Sequence, residues 1–244
     1  MAERGEVSTA LLGAAGDSGD ERELAQRICR ACIDGLDIDG ASMSLLTTSV
    51  ARETLWASDA TANLLEELQF SLGEGPCMQA ATTGRAVMVA DLQHSGEAER
   101  WPAFAAAVAE RTAVRALFVM PLQWGVINLG VLDLYRVSPG GLNQAQCRDL
   151  IAAANLAAVM MLDLRTDPDN LAGLDDSDVP WLDPALGSHT GIHQATGMVL
   201  AQLGIDATAA LARLRAHAFS HQRLLLDVAA DVVARRLVFT EEMS

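Results

Sequence analysis

Two groups of residues carry chemistry by type and spacing. Near the C-terminus, Gln194 both donates and accepts hydrogen bonds, the combination that reads a base edge. Arg213, Arg215 and Arg223 can clamp a phosphate through two N–H groups or stack on a planar ring. Arg213 and His217 stand four apart, so a helix places them on one face. The second group centres on Cys77. Gly73-Glu74-Gly75 precedes Pro76 and Cys77, and proline there suits the first turn of a helix. Free amide N–H groups at a helix start favour an anion or a carbonyl oxygen, and they can lower the pKa of a thiol. Gly73 and Gly75 let backbone approach a ligand closely.

Other chemistry is not expected. Cys29 and Cys32 form a lone C-x2-C pair on a predicted helix, with no second pair to complete a zinc site. Packing is the reading for both. The histidines lack ligand spacing beside a carboxylate, and no Walker-type loop occurs. We therefore assign no catalytic residue, no metal ligand and no cofactor. The four cysteines are irregularly spaced, so no disulfide framework is implied.

Charge divides the chain. All 17 basic residues are arginine, against 32 acids, for a net charge of −15. Residues 1–186 hold 27 acids and 12 Arg, a net of −15; residues 187–244 hold 5 of each and four of the five His. A polyanion-binding surface over the whole protein is excluded by that balance. A neutral C-terminal module remains compatible with one. The longest apolar run, residues 150–162, is interrupted by Asn155 and is too short to span a bilayer. No signal-peptide pattern opens the chain, so a soluble cytoplasmic protein without membrane attachment is expected.

The elements that must position these residues read as follows. Residues 1–20 are small and polar, without pattern, and are expected to be disordered. Leu24, Ile28, Cys32 and Leu36 recur at helical spacing, predicting a helix to about residue 35. Residues 41–48 and 53–57 suit a hairpin, 64–68 a short helix, 77–83 a helix closed by Gly84, and 87–90 a short strand. A helix over 101–111, apolar strands over 116–121 and 128–135, and a long Ala-rich helix over 142–165 follow. This is an α+β domain with a largely antiparallel sheet. The Asp- and Pro-containing stretch 166–186 is the predicted linker. Beyond it, residues 187–239 form an all-α module of three helices. Ile192, Ala195, Val199 and Leu203 line the first helix, and Gly204 ends it. Asp206 caps the second, with Leu211, Leu214 and Ala218 inward. Leu225, Val228 and Val232 face inward from the third. Gly197 serves close helix packing or close approach of a ligand backbone.

Residues 72–91 (LGEGPCMQAATTGRAVMVAD), followed by RWPAFAAAV, MPLQWG and LGVLDLYR, resemble a GAF domain over 21–165. The resemblance implies an antiparallel sheet with a small-molecule pocket on one face and flanking terminal helices that often make a dimer. Gly75, Pro76, Cys77, Trp101, Phe104 and Phe118 are the expected pocket residues. Residues 182–239 resemble an ANTAR domain, carried by His193-Gln194-Ala195-Thr196-Gly197-Met198, Leu203-Gly204-Ile205, Ala210, Leu214-Arg215, Ala218-Phe219, Asp227-Val228-Ala229 and Val232-Val233. That resemblance implies a module that binds paired RNA hairpins in a nascent transcript and keeps a terminator from forming, in an antitermination regulator of actinobacterial type. Its RNA-binding candidates are His193, Gln194, Thr196, Arg213, Arg215, His217 and Arg223. His189 and Thr196 stand where many members carry Arg and Lys, and Leu224 and Leu226 where Pro and a small capping residue are frequent. The expected partners are RNA, a small-molecule effector and a second copy of the chain. Two alternatives stand beside this reading. One is a thiol redox enzyme or sensor centred on Cys77, since some GAF-fold proteins reduce free methionine sulfoxide. The other is a dimeric protein-interaction module without RNA binding.

Overall fold

The computed structural model describes residues 7, 9, 20–46, 52–125, 127–166, 190–221 and 223–240. They fall into two compact units, one built on residues 1–46 and 54–173, the other containing the three C-terminal helices. The expected linker, 166–186, lies outside the described residues apart from its first position, as does His189.

In the first unit, α1 (Glu21–Leu36) starts at Asp20, whose Oδ1 accepts the Glu23 amide at 2.7 Å. Then come β1 (Gly40–Leu46), β2 (Arg52–Ala57), α2 (Ala60–Leu72), α3 (Pro76–Thr83), β3 (Val87–Val89), α4 (Ser95–Ala98), α5 (Pro102–Arg111), β4 (Ala116–Trp124), β5 (Ile127–Arg136) and α6 (Gln144–Thr166). The strands form one sheet in the order β2-β1-β5-β4-β3. The ladders of β1 on β5, β4 on β5 and β3 on β4 are antiparallel. A Cβ on Gly130 would run into the Ser44 carbonyl, so glycine is what lets β5 lie this close to β1. β4 runs through Pro121, where the sequence reading stopped. β3 pairs only with Leu117–Val119, so Pro121 lies on a stretch paired with β5 alone, the one-sided setting in which strands tolerate proline.

Both sheet faces are covered. On one side α1 and α6 bury Leu24, Ile28, Cys29, Cys32, Ala154 and Met161 against Met43, Phe118, Leu132 and Leu134. On the other, α2, α3 and α5 bury Leu65, Cys77, Phe104 and Val108 against Leu117, Val119, Val131 and Tyr135. Of residues 1–20, expected to be disordered, all but 7, 9 and 20 lie outside the described residues, and Val7 departs from that expectation. This residue is helical, is fully buried in the first of these cores, and donates its N–H to Asp149 Oδ2 at 3.2 Å.

The second unit holds α7 (Thr190–Leu203), α8 (Ala207–Ser220) and α9 (Leu225–Val233). Gly204, at φ +64°, ends α7 in the left-handed region. Asp206 Oδ1 accepts the Ala209 amide at 2.8 Å and starts α8. The chain turns through 106° between Gly191–Leu203 and Ala207–Ser220. No single described helix is long and apolar enough to cross a membrane.

Candidate functional site

The α2–α3–α5 face of the sheet carries polar groups inside an apolar layer. Along β1, Ser42 and Ser44 alternate with the inward Met43 and point the other way, into this face. Ser42 donates its hydroxyl to Glu66 Oε1 and Ser44 to Glu66 Oε2, each at 2.8 Å. Ser42 is the cross-strand neighbour of Asp133. Gln69, one turn along α2 from Glu66, accepts the Cys77 amide at 2.6 Å. Gly75 sits at φ +132°, and a Cβ there would stand 2.7 Å from Gln69 Cγ. Glu74 Oε1 accepts the Phe104 amide at 2.7 Å and so anchors the start of α5. Tyr135 donates to Asp59 Oδ1 at 3.0 Å; burial, then the Asp59 charge, push its phenol up to about 12.

The three C-terminal helices share an inner face of Ile192, Ala195 and Val199, then Ala210, Leu211, Leu214 and Ala218, then Leu225, Val228, Ala229 and Val232. Phe239 folds back onto them, buried, with its N–H donated to Gln202 Oε1 at 2.9 Å. His217 stacks on His221 at 4.0 Å between ring centroids and meets the Phe239 ring edge-on at 5.4 Å. Burial, then the nearby His221 and Arg223 charges, lower the His217 pKa. Arg223 and Arg236 both bind Asp231, at 2.6 and 2.7 Å.

Comparison with known proteins places residues 18–161 in the GAF domain family and 182–233 in the ANTAR domain family. The chain is a GAF protein with an ANTAR domain. The GAF fold is shared with the GAF domain of a phosphoenolpyruvate-protein phosphotransferase from Coxiella burnetii. The TM-score is 0.52 at 10% identity, over 65% of this chain and 92% of that one. A domain of a two-component sensor histidine kinase protein from Sinorhizobium meliloti matches at 0.50 and 16% identity, over 61% and 95%. At these identities the likeness concerns fold alone. No curated protein matches the chain.

Within the GAF domain, Pro76, Cys77, Trp101 and Phe104 are buried on one face of the sheet, with Gly75 at the start of α3. Phe118 is not with them. It belongs to the opposite core, with the Arg136 guanidinium 5.5 Å from its ring centroid. Nor is the Cys77 amide free for an anion, since Gln69 takes it. Sequence reasoning passed over Ser42, Ser44, Glu66, Gln69, Glu74 and Asp133. Two serines two apart in β1, with Asp133 of β5 opposite Ser42, were the available signal.

Within the ANTAR domain, Gln194 and Arg213 are exposed, while His193, Arg215 and His217 are half-buried. Arg223 is exposed but engaged with Asp231. Thr196 is buried, and its hydroxyl donates to the Ile192 carbonyl at 2.7 Å, so it has no reach to a phosphate. A Cβ on Gly197 would meet nothing within 4 Å, so helix packing does not ask for glycine there. Phe219, exposed on α8, and Asp231, which gathers two arginines, were not among the RNA-binding candidates. The ANTAR domain implies RNA-binding antitermination regulation, and the GAF domain suggests a sensory role.

Proposed function

We propose that the chain is a dimeric cytoplasmic antitermination regulator. Its ANTAR domain binds paired hairpins in a nascent transcript, and its GAF domain dimerises and responds to a small ligand. The observation that carries the RNA part is the ANTAR match on a complete three-helix unit that leaves Gln194 and Arg213 exposed. Phosphate contacts and stacking on unpaired bases are what such side chains can supply to a hairpin loop. Electrophoretic binding of the full chain to twin-hairpin RNA tests it. Retention at low salt, weakening as salt rises, is the expected result. No retention of any twin-hairpin RNA at low salt would sink the reading.

Dimerisation is supported by α6. Ile151 and Val159, 48% and 41% exposed, lie two turns apart on its outer surface with Asn155 between them. A helical bundle between two copies would cover this stripe.

The thiol-enzyme alternative is disfavoured by geometry. Cys77 is fully buried on one face of the sheet, whereas Cys29 and Cys32 are buried on the other. Burial pushes the Cys29 thiol well up, and the Cys32 thiol up to about 12, so neither offers a thiolate near neutral pH to resolve an oxidised Cys77.

A further inference from the structure

We propose that Glu66, Cys77 and Asp133 form a binding site for a divalent transition-metal ion of the zinc class inside the GAF domain. The three residues come from α2, α3 and β5, and their ligand atoms all lie within 4.8 Å of one another. All are buried, at 1%, 0% and 5% exposure. Around one zinc-sized ion, sulfur and oxygen ligands at about 2.3 and 2.0–2.2 Å would stand roughly 3.3–3.7 Å apart, so shifts of about 1 Å close the set.

The donor chemistry of the cluster suits a cation. Two serine hydroxyls donate to the two oxygens of Glu66, the pattern that suits an ionised carboxylate. A second carboxylate and a thiol then share its low-dielectric surroundings. Groups of like charge that close cannot all ionise unless a cation joins them or protons neutralise them. The buried guanidinium of Arg136 is not part of the cluster. It lies over Phe118 on the other face of the sheet, bonded to the Leu36 and Asp37 carbonyls. The mixed set of one sulfur and two carboxylates selects against magnesium and calcium, which take oxygen alone. The two serines would act as outer-shell groups that aim Glu66. Three protein ligands leave a fourth position for water or an exogenous donor.

The proposal deepens the sensory reading of the GAF domain and rests on it for its regulatory meaning, while occupancy is measured directly. The full chain is stripped with chelator and titrated with Co²⁺ as the spectroscopic probe, alongside Cys77→Ser, Asp133→Asn and Glu66→Gln. Uptake of one ion per chain is expected, with a thiolate-to-cobalt charge-transfer band that Cys77→Ser abolishes. Affinity should fall at least tenfold in Asp133→Asn. Circular dichroism identifies any variant that fails to fold, and Cys77→Ser, the smallest change, then decides. A folded parent chain that takes up no ion overturns the site in favour of shared protons. So does uptake whose spectrum and affinity are unchanged in Cys77→Ser. RNA retention in the same samples reports separately on the regulatory reading.

Discussion

At the scale of single residues, exposure sorts the RNA-binding candidates. Gln194 and Arg213 reach solvent, whereas Thr196 spends its hydroxyl on its own helix. Arg213→Ala should weaken twin-hairpin binding and lower the slope of log affinity against log salt by about 0.7. Thr196→Ala should leave affinity within about twofold, because residues without reach add nothing to the phosphate term. Titration of RNA binding over a salt series checks both. Asp231 gives a pH prediction. Hydrogen bonds from Arg223, then Arg236, hold its carboxyl below the usual carboxylate range. A folded-state pKa below the unfolded value means the stabilisation is present above that unfolded value, about 3.9. It is lost as pH falls through the folded one. The clasp is therefore intact at neutral pH and is lost only below the ordinary carboxylate range. Asp231→Asn should flatten part of the acid limb in a pH series of thermal unfolding, by a small amount because the pair is solvent-screened.

At the scale of elements, helix ends were the most legible part of the sequence. Gly84 and Gly204 close helices in the left-handed region, and Asp206 caps α8, each where a residue of that type was expected to do so. What the sequence hid was which side of a strand faces which layer. Phe118 illustrates it. Ala116, Phe118, Met120 and Leu122 face one core, while Leu117 and Val119 face the other. The 116–120 stretch of β4 is covered on both sides and apolar throughout, so no alternation marks its faces. The buried polar groups were hidden for another reason. Glu66, Cys77 and Asp133 lie far apart in sequence, and only the register of β1 on β5 and the packing of α2 and α3 bring them together. Thr196 deceived because a polar residue can satisfy itself against the carbonyl one turn earlier and be buried. The start of α9 offers an element-scale test. Leu224 occupies its N-cap in extended backbone with no side-chain cap. Leu224→Ser should stabilise the helix by about 1 kcal/mol. A rise in the melting temperature of the chain, followed by circular dichroism, is the expected outcome.

At the scale of the whole molecule, the proposed dimer depends on the outer stripe of α6. Ile151→Asp together with Val159→Asp should lower the mass measured by light scattering from two chains to one. The buried core of α6, at Leu150, Ala154 and Met161, is untouched by these changes, so the fold should survive. A mass unchanged by the pair would place the interface elsewhere.

The return of the chain at Phe239 has a practical consequence for dividing this protein. The ANTAR match ends at residue 233, but Phe239 lies six positions beyond it and forms part of that domain's interior. A fragment trimmed to the family boundary would lose the ring that meets His217 and the amide that ties the chain to Gln202. Its imidazole would regain water, and its titration midpoint in an NMR series should climb back toward the ordinary histidine value. A fragment ending at residue 240 should keep the lowered midpoint and melt at a higher temperature. The family match thus ends before the last residue that packs into these helices, and a fragment meant to keep their interior must include Phe239.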